Sequence, residues 1–271
     1  MVSCKEYVAI KKEELKEKIK TFERPPKLCV IQVGEDPASN TYVKGKKKDA
    51  EEVGIEFKHV KLPEDIEQGQ LEYQVKLQSC LNDGLIVQLP LPKHIDVERI
   101  TKLIPIENDV DGFRESSCFK PCTPKGIINW LEYNGISLEG KVCTVIGRSK
   151  IVGKPLVNML IDKSATVINC NSKTSHLETH TRFADIVISA IGKANYIDHK
   201  YFCPDLLCNQ ILIDVGINLD ENGKLCGDID SRVKNMAYMA TPTPGGTGIM
   251  TRLALVQNTV EAYELNNGGD N

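Results

Sequence analysis

The sequence predicts an α/β protein of two domains around a cleft, built on mostly parallel sheets. Short apolar, β-branched runs alternate with helix-like segments along most of the chain, as strands joined by helical crossovers do. These runs fall into two series, separated by a helix predicted from Pro124 to Tyr133. The chain has 271 residues, 41% of them hydrophobic and 26% charged, enough for two modest domains with real cores. The expected bounds are 1–120, rejoined by a final helix over 251–265, and 121–250.

Taken in order, "MVSCKEYVAIKKEELKEKIK" is a charged amphipathic helix, and its four acids set it apart from a transit sequence. "KLCVIQVG" is a strand, followed by a helix beginning near Asn40. "IEFKHVKL" is a second strand, a helix follows over about Gln70 to Leu81, and "GLIVQLPL" is a third strand. The middle helix has clear end signals: Thr123 as N-cap, Pro124 at the first helical position and Gly135 past its end. The second series supplies strands at "KVCTVIG", "ATVINC", "ADIVISAIG", "QILIDVGIN" and "AYMATP". The last helix places Ile249, Leu253, Val256 and Val260 on one side and should dock by that face. A polar tail from Asn266 is expected to fray.

Charge narrows the function. A net charge of -3 and a pI near 6.0 provide no global field for nucleic acid or an anionic membrane. No apolar stretch reaches the ~18 residues that a membrane span needs. The ten cysteines form no CxxC pair and no tight disulfide spacing. Several, such as Cys29, Cys143 and Cys170, lie in apolar strand-like runs, so a reducing, cytoplasmic setting is expected.

The segment "TYVKGKKKDAEEVG" holds four lysines among five residues. On a helix turning ~100° per residue, with Tyr42 at zero, Lys46 falls at about 40°, near Val53, Ala50 and Val43. Lys44, Lys47 and Lys48 fall at roughly 200°, 140° and 240°, on the opposite arc. Three lysines thus form a solvated face, while Lys46 shares the apolar arc with Tyr42. Such a lysine is either a snorkelling side chain or, because burial disfavours the charged form, a proton carrier. The helix alone leaves both readings open.

"VCTVIGRSKIVGKPLVNML" reads as strand, glycine turn and helix, the context of a Rossmann-type dinucleotide site. Free N–H groups at the helix start are expected to face the anion. Ser149 stands where the second glycine of GxGxxG would be, so the motif is incomplete. The next strand ends in "INCNSKT", with no acid to accept the ribose 2′-OH. Arg148, Ser172 and Lys173 instead suit a 2′-phosphate, which favours NADP over NAD. Metal chemistry finds no support: the glutamate of "HLETH" is displaced from the HExxH position, and Cys118 and Cys122 have no partners at zinc spacing.

Six strings coincide in order: "PASNTYVKGK", "GLIVQLPLP", "NDVDGF", "PCTPKGI", "GRSKIVGKP" and "TPTPGGTGIMT". Together they resemble the bifunctional methylenetetrahydrofolate dehydrogenase/methenyltetrahydrofolate cyclohydrolase family over nearly the whole chain. The resemblance implies NADP-dependent oxidation of 5,10-methylenetetrahydrofolate and hydrolysis of the methenyl product to 10-formyltetrahydrofolate. It makes Lys46, Gln88 and Tyr42 the catalytic residues. It places Tyr42, Val87, Gln88, Leu89, Asp111, Pro244, Gly245 and Gly246 at the folate, and Gly147, Arg148, Ser149, Ser172 and Ile217 at NADP. It also implies a homodimer.

These residue types suit the chemistry. A carboxylate such as Asp111 can accept two adjacent pterin N–H donors, and the Tyr42 ring offers a stacking surface. A positioned lysine can move protons at the methenyl carbon and the ring nitrogen. Two departures stand out: Ile249 where the family commonly has proline, and Asn171 where it commonly has histidine. The first should loosen the start of the last helix; the second removes one contact to the 2′-phosphate. The alternatives are a dehydrogenase without the hydrolytic step, against which Lys46, Tyr42 and Gln88 speak, and a non-catalytic nucleotide-binding regulator, which would need no lysine on a buried face.

Overall fold

A computed structural model describes residues 2–267. Its contacts divide the chain into two compact units: Ala9–Cys122 with the chain from Arg252 onward, and the chain up to Val8 with Thr123–Thr251.

In the first unit, α1 (Cys4–Ile19) leads to β1 (Lys27–Val33), α2 (Pro37–Val53), β2 (Glu56–Leu62), α3 (Gln68–Leu81), β3 (Gly84–Val87) and α4 (Val97–Leu103). The three strands pair in parallel in the order β2-β1-β3. One core on this sheet joins Leu28, Val30 and Ile86 to Val43, Ala50 and Val53 of α2. A second joins Cys29, Ile31 and Leu85 to Leu71 and Val75 of α3 and Ile100 of α4. Strand β1 is buried on both faces, which explains its apolar run from Leu28 to Ile31.

In the second unit, α5 (Cys122–Tyr133) precedes β4 (Val142–Ile146), α6 (Gly153–Asp162), β5 (Thr166–Cys170), α7 (Leu177–Thr181), β6 (Ile186–Ser189), α8 (Pro204–Leu207) and β7 (Ile211–Asp214). A hairpin of β8 (Asn218–Leu219) and β9 (Leu225–Cys226), then α9 (Ser231–Lys234) and β10 (Met239–Ala240) follow; α10 (Thr247–Asn267) starts in this unit and belongs to the first from Arg252. The five-stranded sheet is parallel in the order β10-β7-β6-β4-β5. The order reverses at β4, with β5 on one side and β6 on the other, so its carboxyl end is the switch point of a doubly wound sheet.

Several elements depart from the sequence reading. Residues up to Val8 group with the second sheet, because the Val2 N–H donates to Asn134 Oδ1 (2.7 Å), Trp130 Nε1 donates to Val2 O (3.2 Å), and Tyr7 packs on Tyr133. Helix α5 starts at Cys122, so Thr123 is already helical rather than its cap. Helix α10 starts at Thr247, ahead of the expected 251, and is enclosed nearly all round: Leu253, Ala254, Leu255, Val256, Asn258, Thr259 and Val260 are all buried. Ile249 does not loosen its start; the Ile249 N–H, which proline would lack, donates to Gly246 O at 3.2 Å. The helix runs through Asn267, and the remainder of the polar tail lies outside the described residues. No helix among the described residues is long and apolar enough to cross a membrane.

Candidate active site

Helix α2 carries the central group of the first unit. Asp36 caps it by accepting from Ser39 N at 2.7 Å, Pro37 presets the first turn, and Gly54 at φ 96° ends it. This fixes which arc of the lysine run faces inward. Lys46 is 4% exposed, while Lys44, Lys47 and Lys48 lie in solvent, Lys47 3.6 Å from Glu51.

An amine in such a setting needs acceptors. Lys46 Nζ donates to Gln88 Oε1 at 3.1 Å and lies 3.9 Å from Asp111 Oδ2 and 5.2 Å from the centre of the Tyr42 ring. The register of β3 on β1 places Gln88. Val87 lies opposite Ile31, so Gln88 is the first residue past the strand, where its N–H donates to Ile31 O at 2.8 Å. The Gln88 amide in turn donates to Leu89 O at 2.8 Å, which aims its oxygen at the lysine. Burial, with the nearby Asp111 carboxylate adding to it, pushes the Tyr42 phenol well above its ordinary range, so the ring stays neutral. Val87, Leu89, Asp109, Asp111 and Phe113 line one small cavity beside this cluster. The first unit thus brings together Lys46, Gln88, Tyr42, Asp111, Val87 and Leu89. Pro244, Gly245 and Gly246 belong to the second unit, in the turn before α10.

Two residues of this region were not singled out from the sequence. Asp49, one turn beyond Lys46 and 5% exposed, accepts from Lys12 Nζ of α1 at 2.6 Å and from Arg252 Nε of α10. It clamps the lysine helix from behind, and an acid on the apolar arc of α2 was the available signal. Asn258, fully buried on α10, donates to Val110 O (2.7 Å) and Lys120 O (3.0 Å), holding the backbone next to Asp111.

In the second unit the turn after β4 has the geometry a dinucleotide needs. Gly147 has φ 126°, and a β-carbon there would strike the Ala190 carbonyl. Arg148, Ser149, Ser172 and Lys173 are exposed around it, and Ile217 projects at 58% exposure beyond the end of β7. The expectation of free N–H groups at the start of α6 is corrected. Ser149 Oγ accepts from Val152 N and Gly153 N (3.2 Å each), Ser149 O accepts from Lys154 N (3.0 Å), and Pro155 has no N–H. The serine in the second glycine's place thus takes up the N–H groups that open α6. The chain after β5 is held by its own side chains: Asn171 Oδ1 accepts from Lys173 N at 3.0 Å, and Thr174 Oγ1 from Asn171 N at 2.9 Å. These cations and hydroxyls, with no acid among residues 169–175, fit a 2′-phosphate.

Comparison with known proteins gives a consistent picture. The family model for the tetrahydrofolate dehydrogenase/cyclohydrolase catalytic domain matches residues 2–111, and that for the NAD(P)-binding domain matches residues 121–267. The bifunctional protein FolD of Lysinibacillus sphaericus is 44% identical over 251 residues, covering 88% of this chain and 87% of its own. The crystal structure of the bifunctional FolD dehydrogenase/cyclohydrolase of Campylobacter jejuni superposes with a TM-score of 0.91 at 40% identity, covering 97% of this chain and 98% of that one. The Trypanosoma brucei dehydrogenase-cyclohydrolase, solved with NADP cofactor and an inhibitor, superposes with a TM-score of 0.89 at 28% identity, covering 98% and 97%.

Proposed function

The chain belongs to the tetrahydrofolate dehydrogenase/cyclohydrolase family, and from that premise we propose how its residues divide the two reactions. The enzyme oxidises 5,10-methylenetetrahydrofolate to the methenyl form with NADP and hydrolyses that product to 10-formyltetrahydrofolate. The observation that carries the assignment of roles is the buried Lys46 amine, held on Gln88 beside Asp111 and the Tyr42 ring.

Asp111 accepts the pterin's paired N–H donors, and Tyr42 stacks on the aminobenzoyl ring. Val87 and Leu89 wall the folate pocket, and the family resemblance adds Pro244, Gly245 and Gly246 as folate contacts. When bound, NADP supplies the hydride acceptor; Gly147, Arg148, Ser149, Ser172 and Ile217 would hold it. Loss of hydride leaves a cationic methenyl carbon that water attacks. Lys46 takes a proton from that water and returns one to the ring nitrogen as the carbon–nitrogen bond breaks. Gln88 keeps the amine aimed at the carbon. Lysine has three N–H donors when charged, so the bond to Gln88 leaves capacity for substrate.

Assembly as a homodimer is part of this proposal, drawn from the family resemblance and tested by light scattering. A reducing compartment such as the cytoplasm is also proposed. Its support is ten cysteines with no disulfide among the described residues, of which burial pushes Cys29 and Cys143 up to about 12, leaving both as inert thiols. The activity is tested by absorbance with methylenetetrahydrofolate and either NADP or NAD. Methenyl product should form preferentially with NADP and then disappear by hydrolysis. No oxidation with either cofactor contradicts the assignment.

A further inference from the structure

Two fully buried carboxylates in the second unit take no part in the roles above. Asp214 is the last residue of β7, and Asp228 follows β9. Asp228 Oδ2 accepts from Ser189 Oγ (3.1 Å) and Ile191 N (2.8 Å), and its Oδ1 from Lys193 N (2.9 Å) and Asn218 Nδ2 (3.0 Å). Asp214 Oδ1 accepts from Gly216 N (3.0 Å) and Asp228 N (2.9 Å), and its Oδ2 from Ile229 N (3.0 Å) and Lys234 Nζ (2.5 Å). One carboxylate thus holds the backbone of the other.

The donors to Asp228 come from two places. Ser189, Ile191 and Lys193 end β6 and form the loop after it, while Asn218 closes the segment after β7. Both lie at carboxyl ends of parallel strands, on the edge where an open α/β sheet takes its ligand. Ile217, more than half exposed, sits between Gly216, tied to Asp214, and Asn218, tied to Asp228. A large apolar side chain presented to solvent is thereby held at both neighbours. The approach is close: a β-carbon on Gly216 would run into the Asp228 carboxylate.

We propose that Asp228 is a positioning residue for the cofactor, fixing the 190–193 loop and the Ile217 segment in the arrangement that receives NADP. This rests on the assignment of NADP to the second unit. Lys46, Gln88 and Asp111 belong to the first unit, so hydrolysis, which needs no NADP, does not depend on Asp228.

Asp228→Asn tests this in the full-length enzyme. The variant keeps the shape but turns one acceptor into a donor. Ser189 can reverse its hydroxyl and Asn218 its amide, but the backbone N–H of either Ile191 or Lys193 then loses its acceptor. An N–H left facing an amide donor should raise the KM for NADP roughly ten- to hundredfold, with the KM for folate and the hydrolysis rate within about twofold. If the variant does not accumulate folded, Asn218→Ala, which frees only the Ile217 segment, should raise the NADP KM several-fold on the same criteria. Wild-type enzyme is assayed beside them. An active wild type with an unmoved NADP KM in the variant overturns the inference alone, as does equal loss of both activities, the signature of a purely structural role. A wild type without NADP-dependent oxidation overturns the functional reading as well.

Discussion

Replacing Asp109 by asparagine should change how stability depends on pH. Asp109 is 1% exposed, its Oδ1 accepts from Phe113 N at 3.3 Å and its Oδ2 from Arg114 N at 2.9 Å. Burial raises its carboxyl from the ordinary 3.8 to about 6; the two backbone bonds oppose this, and Asp111 adds a smaller push upward. A pKa unit is worth about 1.4 kcal/mol, so ionised Asp109 costs the folded state about 3 kcal/mol. For a carboxyl raised on folding, the associated stability is whole below pH 3.8 and is lost as pH rises through about 6. Asparagine stays neutral throughout but turns its N–H₂ toward Phe113 or Arg114, a pH-independent loss of about 1–3 kcal/mol. The wild type should therefore be the more stable protein near pH 4, with its advantage falling by about 2–3 kcal/mol towards pH 7.5, to parity or below. Urea unfolding of both proteins across that range measures the difference. A difference that stays flat would refute the burial argument. One that grows with pH would mean that the hydrogen bonds from Phe113 and Arg114 outweigh burial.

Three further outcomes are expected. Asp111→Asn exchanges a charged double acceptor for an amide with one acceptor, and folate affinity should fall by ~1.5–3 kcal/mol, roughly ten- to hundredfold; unchanged affinity in a binding titration would return Asp111 to a turn-forming role. Arg148→Glu should weaken NADP at least roughly tenfold more than NAD, because it sets an acid against the 2′-phosphate; equal losses in the KM of both cofactors would show that Arg148 does not read that group. Asn258→Ala should cost about 2–4 kcal/mol in urea unfolding by leaving the Val110 and Lys120 carbonyls without their donor, and should raise the folate KM because Val110 adjoins Asp111. Wild-type stability with a wild-type KM would contradict it.

Much of this was legible in the sequence, because parallel strands buried on both faces leave plain apolar runs and helix faces follow a fixed angle. Lys46 is the clearest case: its place on the arc of Tyr42 and Val53 follows from helical geometry, and it is buried there. That its amine meets Gln88, 42 residues on, depends on the register of β3 against β1, which no local pattern contains. The start of α10 was misplaced for a related reason. Gly246 and Gly248 weaken the helical signal there, but Thr247 Oγ1 donates to Asp214 O at 2.8 Å and anchors the first turn, overriding glycine's poor helix propensity. Helix α4 went unread although Asp96 is a competent cap for it, accepting from Arg99 N at 3.0 Å; its seven residues are too few for a periodic signal. The Asp214–Asp228 pairing leaves no local pattern, because the two acids stand 14 residues apart and a hairpin brings them together.

The central claim is that Lys46 moves the protons of hydrolysis, and Lys46→Met tests it most directly. Methionine keeps the length and packing of the side chain on α2 while removing the amine that Gln88 holds. Lys47→Met, on the exposed arc, is the matched control. Hydrolysis of methenyltetrahydrofolate should fall below detection in the first variant and stay near wild type in the second, with NADP affinity intact in both. If both variants hydrolyse normally, or both lose activity equally, Lys46 is a structural buried lysine and the proton-transfer role assigned to it is wrong.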